Sequence, residues 1–236
     1  MTTLLLIPGL VSDARVWRAV AQAAPEWLEV VDADIRRDTT IEEMAARLLH
    51  ETEVPLIPVG HSLGGRVAME LARQAPERVR GLVLANTGHD GMGENEAPKR
   101  LAKIARGYED MAALAAEWLP PMLAEGIPPD PALVDDLTDM VLKAGPDIHA
   151  RQIRAIMERP NAMEYIADIA CPVLLITGAQ DSWSPEKQHR EIADKLAITE
   201  VHIIEGAGHF MPVERPAETV AAITGWLDQH KEELNV

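Results

Sequence analysis

The chain has 236 residues, 47% apolar and 25% charged, the balance of an ordinary globular protein whose core can bury roughly 70% of the surface its unfolded chain exposes; a stapled miniprotein is excluded. Lys and Arg number 22 against 38 Asp and Glu, a net charge of −16, which repels phosphate backbones and anionic headgroups and argues against nucleic acid or a membrane surface as a partner. No run approaches the ~18 apolar residues that cross a bilayer, and the single cysteine, Cys171, can close no internal disulfide and form no thiolate cluster for a metal. In Ile169-Ala-Cys-Pro-Val it reads as a small core residue.

The chain opens on Leu4-Leu-Leu-Ile, with no basic residue before it and Pro8-Gly9 just after. That is too short for a secretory signal, so the cytoplasm is the expected compartment. Apolar runs rich in Val, Leu and Ile predict strands at Thr3–Ile7, Leu28–Val31, Val54–Val59, Val79–Ala85, Val173–Thr177 and Glu200–Ile204. Such runs suit strands buried on both faces of a parallel sheet. Between them lie helical patterns such as Leu63, Val67, Leu71 and Ala75, so the repeating unit is βα. The expected fold is α/β, a mostly parallel sheet flanked by helices.

One stretch breaks the alternation. From about Gly88 to Ala167 no strand-like run occurs, while apolar residues from Leu101 to Trp118 recur every three or four positions and predict one amphipathic helix. Pro120-Pro121 and Pro128-Pro129 follow, then helical patterns in Leu133–Leu142 and Ile148–Met157. Residues 1–87 and 168–236 are therefore expected to form the core, and 88–167 a helical cap over the sheet's carboxyl edge, where α/β sheets bind ligands.

Gly60-His-Ser-Leu-Gly-Gly, between a strand and a helix, is the most specific signal. A turn this sharp strains its central residue and leaves no room for bulk two positions to either side, so Ser62 is presented at the tip. A serine hydroxyl needs a base and a group to orient that base. Of eight histidines, His209 in Gly206-Ala-Gly-His-Phe follows a strand in a flexible loop at the carboxyl edge. Asp181 in Gly178-Ala-Gln-Asp follows the preceding strand at the same edge, giving the chain order Ser62, Asp181, His209. An oxyanion formed at an attacked acyl group needs two N–H donors, expected from Leu63, next after the serine, and from Leu10, after Gly9. His61 is expected to point away from the tip. Trp183, Phe210, His89 and His149 are the expected pocket residues.

The segments Leu5-Leu-Ile-Pro-Gly, Gly60-His-Ser-Leu-Gly-Gly, Ile176-Thr-Gly-Ala-Gln-Asp and Gly206-Ala-Gly-His resemble the α/β-hydrolase superfamily, over Leu4 to about Leu227. The likeness is to its small, cofactor-free bacterial branch of carboxylesterases, enol-lactone hydrolases and carbon–carbon bond hydrolases. The resemblance implies a nucleophile at Ser62, an acid at Asp181, a base at His209 and a helical cap. Two positions depart from the branch: Pro8 stands where His often precedes the glycine, and Phe210 where carbon–carbon bond hydrolases carry Trp.

The expected function is hydrolysis of carboxylic esters of small soluble substrates through an acyl-enzyme, with no metal and no cofactor. The alternatives are a lactone or carbon–carbon bond hydrolase with the same groups, or a lyase, cofactor-free oxygenase or ligand-binding protein on the same fold. Nothing in the sequence sets an oligomeric state.

Overall fold

A computed structural model describes residues 2–235. Six strands, β1 (Thr2–Ile7), β2 (Leu28–Asp32), β3 (Leu56–His61), β4 (Leu82–Ala85), β5 (Val173–Gly178) and β6 (Thr199–Ile204), form one sheet in the order β2-β1-β3-β4-β5-β6, with every pairing parallel. All residues of β1, β3, β4 and β5 are buried, which is why these strands read as unbroken apolar runs. Val54 lies outside β3, and Val79 makes only an isolated bridge to Leu56 before β4.

The helices of the βα units are α1 (Arg18–Ala23), α2 (Ile41–Glu51) and α3 (Leu63–Gln74). In α2, Ile41, Met44, Ala45 and Leu48 face the core and the Thr40 hydroxyl caps the first turn by accepting from Glu43 N–H at 3.1 Å. The chain steps from β1 outward to β2 through α1, then back across β1 to β3 through α2. With right-handed crossovers the two helices fall on opposite faces. The reversal makes the gap between the carboxyl ends of β1 and β3 the sheet's switch point, where α/β folds leave a crevice.

Between β4 and β5 come α4 (Ala97–Glu109), α5 (Met111–Trp118), a tight 3-10 turn at Pro120–Met122 and the long α6 (Pro131–Met157). The single helix expected over Leu101–Trp118 is two. Asp110 breaks it: its backbone is extended and its carboxylate accepts from Ala112 and Ala113 N–H at 2.9 and 3.0 Å, starting α5 afresh. The two patterns expected in Leu133–Leu142 and Ile148–Met157 run together as α6, kinked where Gly145 takes φ 74° before Pro146. The remaining helices are α7 (Glu186–Ala193), α8 (Met211–Glu214), α9 (Pro216–Gln229) and α10 (Lys231–Leu234), with α9 packed on α1. Cys171 is partly buried against the core, and burial pushes its thiol up to about 11. No helix among the described residues is long and apolar enough to cross a membrane.

Candidate active site

The sheet register sets the strand ends side by side: Ile7 opposite Gly60, His61 opposite Ala85, Ala85 opposite Ile176 and Gly178 opposite Ile204. The segments that follow carry Leu10, Ser62, Asn86, Asp181 and His209 to one edge.

Ser62 joins β3 to α3 at φ 54° and ψ −113°, a region that costs an L residue on the order of 1–3 kcal/mol. The glycines around it are sterically required. A Cβ on Gly60 would lie 2.3 Å from the Gly64 oxygen, and one on Gly64 would lie 2.3 Å from the Ile7 oxygen. The strain is held by hydrogen bonds: Ser62 N–H donates to Ala85 O at 2.9 Å and Thr87 Oγ1 donates to Ser62 O at 2.8 Å.

His209 Nε2 lies 2.8 Å from Ser62 Oγ, and its Nδ1 lies 2.9 Å from Asp181 Oδ2. The three residues expected from sequence are thus brought into one hydrogen-bonded line. Asp181 is 3% exposed, and burial alone would raise its pKa. The opposing charge of His209, with hydrogen bonds from His209, Asn86 and Ser184, outweighs burial and holds the carboxyl well below its usual range. The donors are Asn86 Nδ2 to Oδ2 at 2.8 Å and the N–H groups of Trp183 and Ser184 to Oδ1 at 2.8 and 2.9 Å.

Asn86, missed in the sequence, adopts φ 48°, tolerated by Asn better than by most residues. From there its Nδ2 also reaches Gly208 O at 3.1 Å, tying the acid to the loop that carries the imidazole. Its position just past β4 was the available signal. His61 lines the same cavity as Ser62, with its ring centroid 5.2 Å from that of His209, and its Nε2 sits 2.7 Å from the His209 carbonyl oxygen. Burial pushes its imidazole down to about 3, so it is neutral and braces the loop as a donor.

Leu63 is the first residue of α3, so its N–H has no intrahelical acceptor. The β1 loop lies against the serine: a Cβ on Gly9 would be 3.3 Å from Ser62 Cβ. Leu10, next in that loop, lines the same cavity as Ser62 and Leu63.

The cavity is about 180 Å³, walled by Trp118, Met122, Ile156, Trp183 and Phe210 among others. The Pro120–Met122 turn closes one side, since Met122 O accepts from His209 N–H at 2.7 Å and Pro121 O accepts from Trp183 Nε1 at 3.2 Å. Trp183 and Phe210 therefore line the cavity as expected. His89 and His149 do not. His89 turns away to Glu191, with Nε2 2.9 Å from Oε2. His149 is buried against α4, where a Cβ on Gly107 would lie 2.8 Å from its Nδ1. Sharing the inserted segment did not fix which way either ring faces. Among the described residues no group of His, Cys, Asp and Glu is placed to hold a metal.

A parallel α/β sheet with a strained serine between strand and helix, and with Asp and His arriving from later strands in that order, defines the α/β-hydrolase fold. The chain belongs to the alpha/beta hydrolase family, whose sequence profile matches residues 4–223. It is similar to the pimeloyl-[acyl-carrier protein] methyl ester esterase of Neisseria meningitidis, 27% identical over 198 residues that span 81% of this chain and 76% of that protein. Among solved structures, a thermophilic esterase from Thermogutta terrifontis superposes with TM-score 0.88 at 25% identity, covering 97% of this chain and 90% of that one. The enol-lactonase of Burkholderia xenovorans shares the fold at TM-score 0.83 and 23% identity, with coverage of 96% and 91%.

Proposed function

We propose that the protein is a serine esterase acting on small soluble carboxylic esters. The single observation that carries this reading is the line from Ser62 Oγ to His209 Nε2 at 2.8 Å and from His209 Nδ1 to Asp181 Oδ2 at 2.9 Å. His209 takes the proton from Ser62 as the oxygen attacks the ester carbonyl, then returns it to the departing alcohol. Asp181 holds the ring so that Nε2 faces the serine and stabilises the imidazolium. The N–H groups of Leu10 and Leu63 receive the charge that develops on the carbonyl oxygen. Water, activated by the same imidazole, then cleaves the acyl-enzyme. The chain's own groups supply every step, so the reading calls for no cofactor. Residues 88–167 act as the cap: Met122 and Pro121 bond to the segments of the base and the acid.

The test is release of acid from short esters at constant pH, with Ser62→Ala as the comparison. The variant is expected to lose at least ~10³ in kcat while unfolding at the same denaturant concentration, because a side chain at a turn tip packs little. A folded variant that keeps most of its activity overturns the serine mechanism.

A further inference from the structure

Three arginines, Arg66, Arg100 and Arg159, line the cavity that holds Ser62, in a chain whose net charge is −16. Arg159 and Arg100 are already engaged, since they reach Glu96 at 2.7 and 2.8 Å and Arg159 also donates to the carbonyls of Asp90, Gly91 and Ile156. Glu96 itself is not among the lining residues; Asp90 is, and its carboxylate lies 3.1 Å from His89 Nδ1. Arg66 is placed differently. It stands one helical turn beyond Ser62 on α3, donates from Nη1 to the Asp90 carbonyl at 2.9 Å, and makes no ion pair among the described residues.

Its surroundings are unfavourable to a bare cation. Burial, with the charge of Arg159, pushes the guanidinium down to about 10, still protonated near neutral pH and in a setting that a nearby anion would relieve. Beside it Gln188 Oε1 is buried with no donor, and both groups face Gly88: a Cβ there would lie 2.7 Å from Gln188 Oε1 and 3.1 Å from Arg66 Nη2. One wall of the cavity therefore holds a cation that forms no direct ion pair, with the charges of Asp90 and Glu96 acting on it only from a distance, next to an amide oxygen without a donor.

We infer that the substrate carries a carboxylate and that Arg66 receives it while Ser62 attacks an ester carbonyl a few bonds away. The inference rests on the esterase reading of the same cavity. The enzyme then acts on monoesters of small dicarboxylic acids or on esters of small hydroxy acids. One guanidinium outside any direct ion pair matches one negative charge, and its planar fork matches the two oxygens of a carboxylate. A phosphate dianion would call for a second free cation, and Arg100 and Arg159 are committed to Glu96.

The experiment compares kcat/KM for the monomethyl esters of succinic, glutaric and adipic acids with the methyl esters of butanoic, pentanoic and hexanoic acids. A second pair, acetylated glycolate against ethyl acetate, puts the charge on the alcohol side. The wild type is expected to prefer the charged member in at least one arm by tenfold or more at low salt, with the preference shrinking as salt is added. Arg66→Met should lower the charged-to-neutral ratio by about 10- to 100-fold, the loss of a charge-assisted bidentate contact, and Arg66→Lys by less. Calorimetry gives a readout that needs no turnover: glutarate should bind the wild type and bind Arg66→Met at least tenfold more weakly. Equal rates on both members of every pair, or an equal loss on both in Arg66→Met, overturns the inference. So does inorganic phosphate binding more tightly than glutarate. Should Arg66→Met fail to fold, the wild-type preference and glutarate affinity decide by themselves. A protein that binds glutarate through Arg66 yet cleaves no ester overturns the esterase reading and leaves the anion site standing.

Discussion

The main-chain N–H of Val11 donates to Gln152 Oε1 at 2.7 Å, across 141 residues of sequence. Val11 sits at φ 46°, costly for a β-branched residue, and directly follows Leu10, the proposed oxyanion donor. Gln152 is fully buried on α6, and its Nε2 donates to Ile35 O at 3.2 Å, so both ends of the amide are used. A helix of the inserted segment thus holds the β1 loop in its strained form.

Gln152→Met keeps the volume and removes the bond, leaving the Val11 N–H and the Ile35 carbonyl buried and unpaired. We expect a loss of about 1–3 kcal/mol in stability for each group so stranded. As a positioning residue, Gln152 should also affect turnover. With the Leu10 N–H no longer fixed, kcat should fall about tenfold or more while KM changes less than about threefold, because the donor acts on charge that develops only in the transition state. Steady-state kinetics on a short ester checks this, and an unchanged kcat would show that the loop holds its shape without the amide.

The second expectation concerns the acid. Asp181→Asn leaves the shape intact but offers the imidazole an N–H in place of a carboxylate, favouring the wrong tautomer, and kcat should drop by orders of magnitude. Asn86→Asp tests the same carboxylate from outside. It replaces a donor 2.8 Å from Asp181 Oδ2 with a second acid, and two carboxylates that close cannot both ionise. Its kcat should fall at least about 100-fold. Should Asp181→Asn stay fully active, the acid lies elsewhere, and the segment around Asp90 is the next place to test.

Acid should destabilise the fold through three buried histidines. Burial pushes His61 from its ordinary 6.5 down to about 3, and His149 and His189 from 6.5 down to about 4. The unfolded chain therefore takes up protons that the folded chain refuses. The contribution is complete above the unfolded value of 6.5 and is lost progressively as pH falls from there toward the folded values. Each group adds up to about 1.4 kcal/mol per pH unit within that window, so the slope should approach about 4 kcal/mol per pH unit near pH 5. Denaturant midpoints between about pH 7.5 and 5 measure it. His149→Gln should reduce the slope by about one proton, and a midpoint independent of pH would contradict the argument.

Substrate length should be limited by the apolar side chains that line the cavity with Ser62. Phe210 is 1% exposed and meets Trp118 edge-on at 6.1 Å between ring centroids, beside Met122. Across nitrophenyl esters we expect kcat/KM to peak at acyl groups of roughly two to six carbons and decline beyond about eight, with no rise when the substrate forms micelles. A chain with a net charge of −16 gains nothing electrostatically at an anionic lipid surface. A maximum at about twelve carbons or more would mean that the segment between β4 and β5 moves to enlarge the cavity.

By itself the sequence determined the parallel sheet, the turn at Ser62 and the arrival of Asp181 and His209 at the same edge. These are local matters: hydrophobic period sets each element, glycines permit one backbone turn, and a βα series sends each loop after a strand to the same edge. It did not show Asn86 against Asp181, His61 under the His209 carbonyl, or Gln152 on Val11, contacts that span 95, 148 and 141 residues. Nor did it show that Arg66 lines the cavity outside any direct ion pair while His89 and His149 lie outside the lining. The Gln152, Arg66, His89 and His149 outcomes depend on how the segment between β4 and β5 packs on the sheet, and the Asn86 and His61 contacts on how the loops after the strands meet at its edge. A partner for a buried polar group is chosen by the whole arrangement around it, which no spacing along the chain encodes.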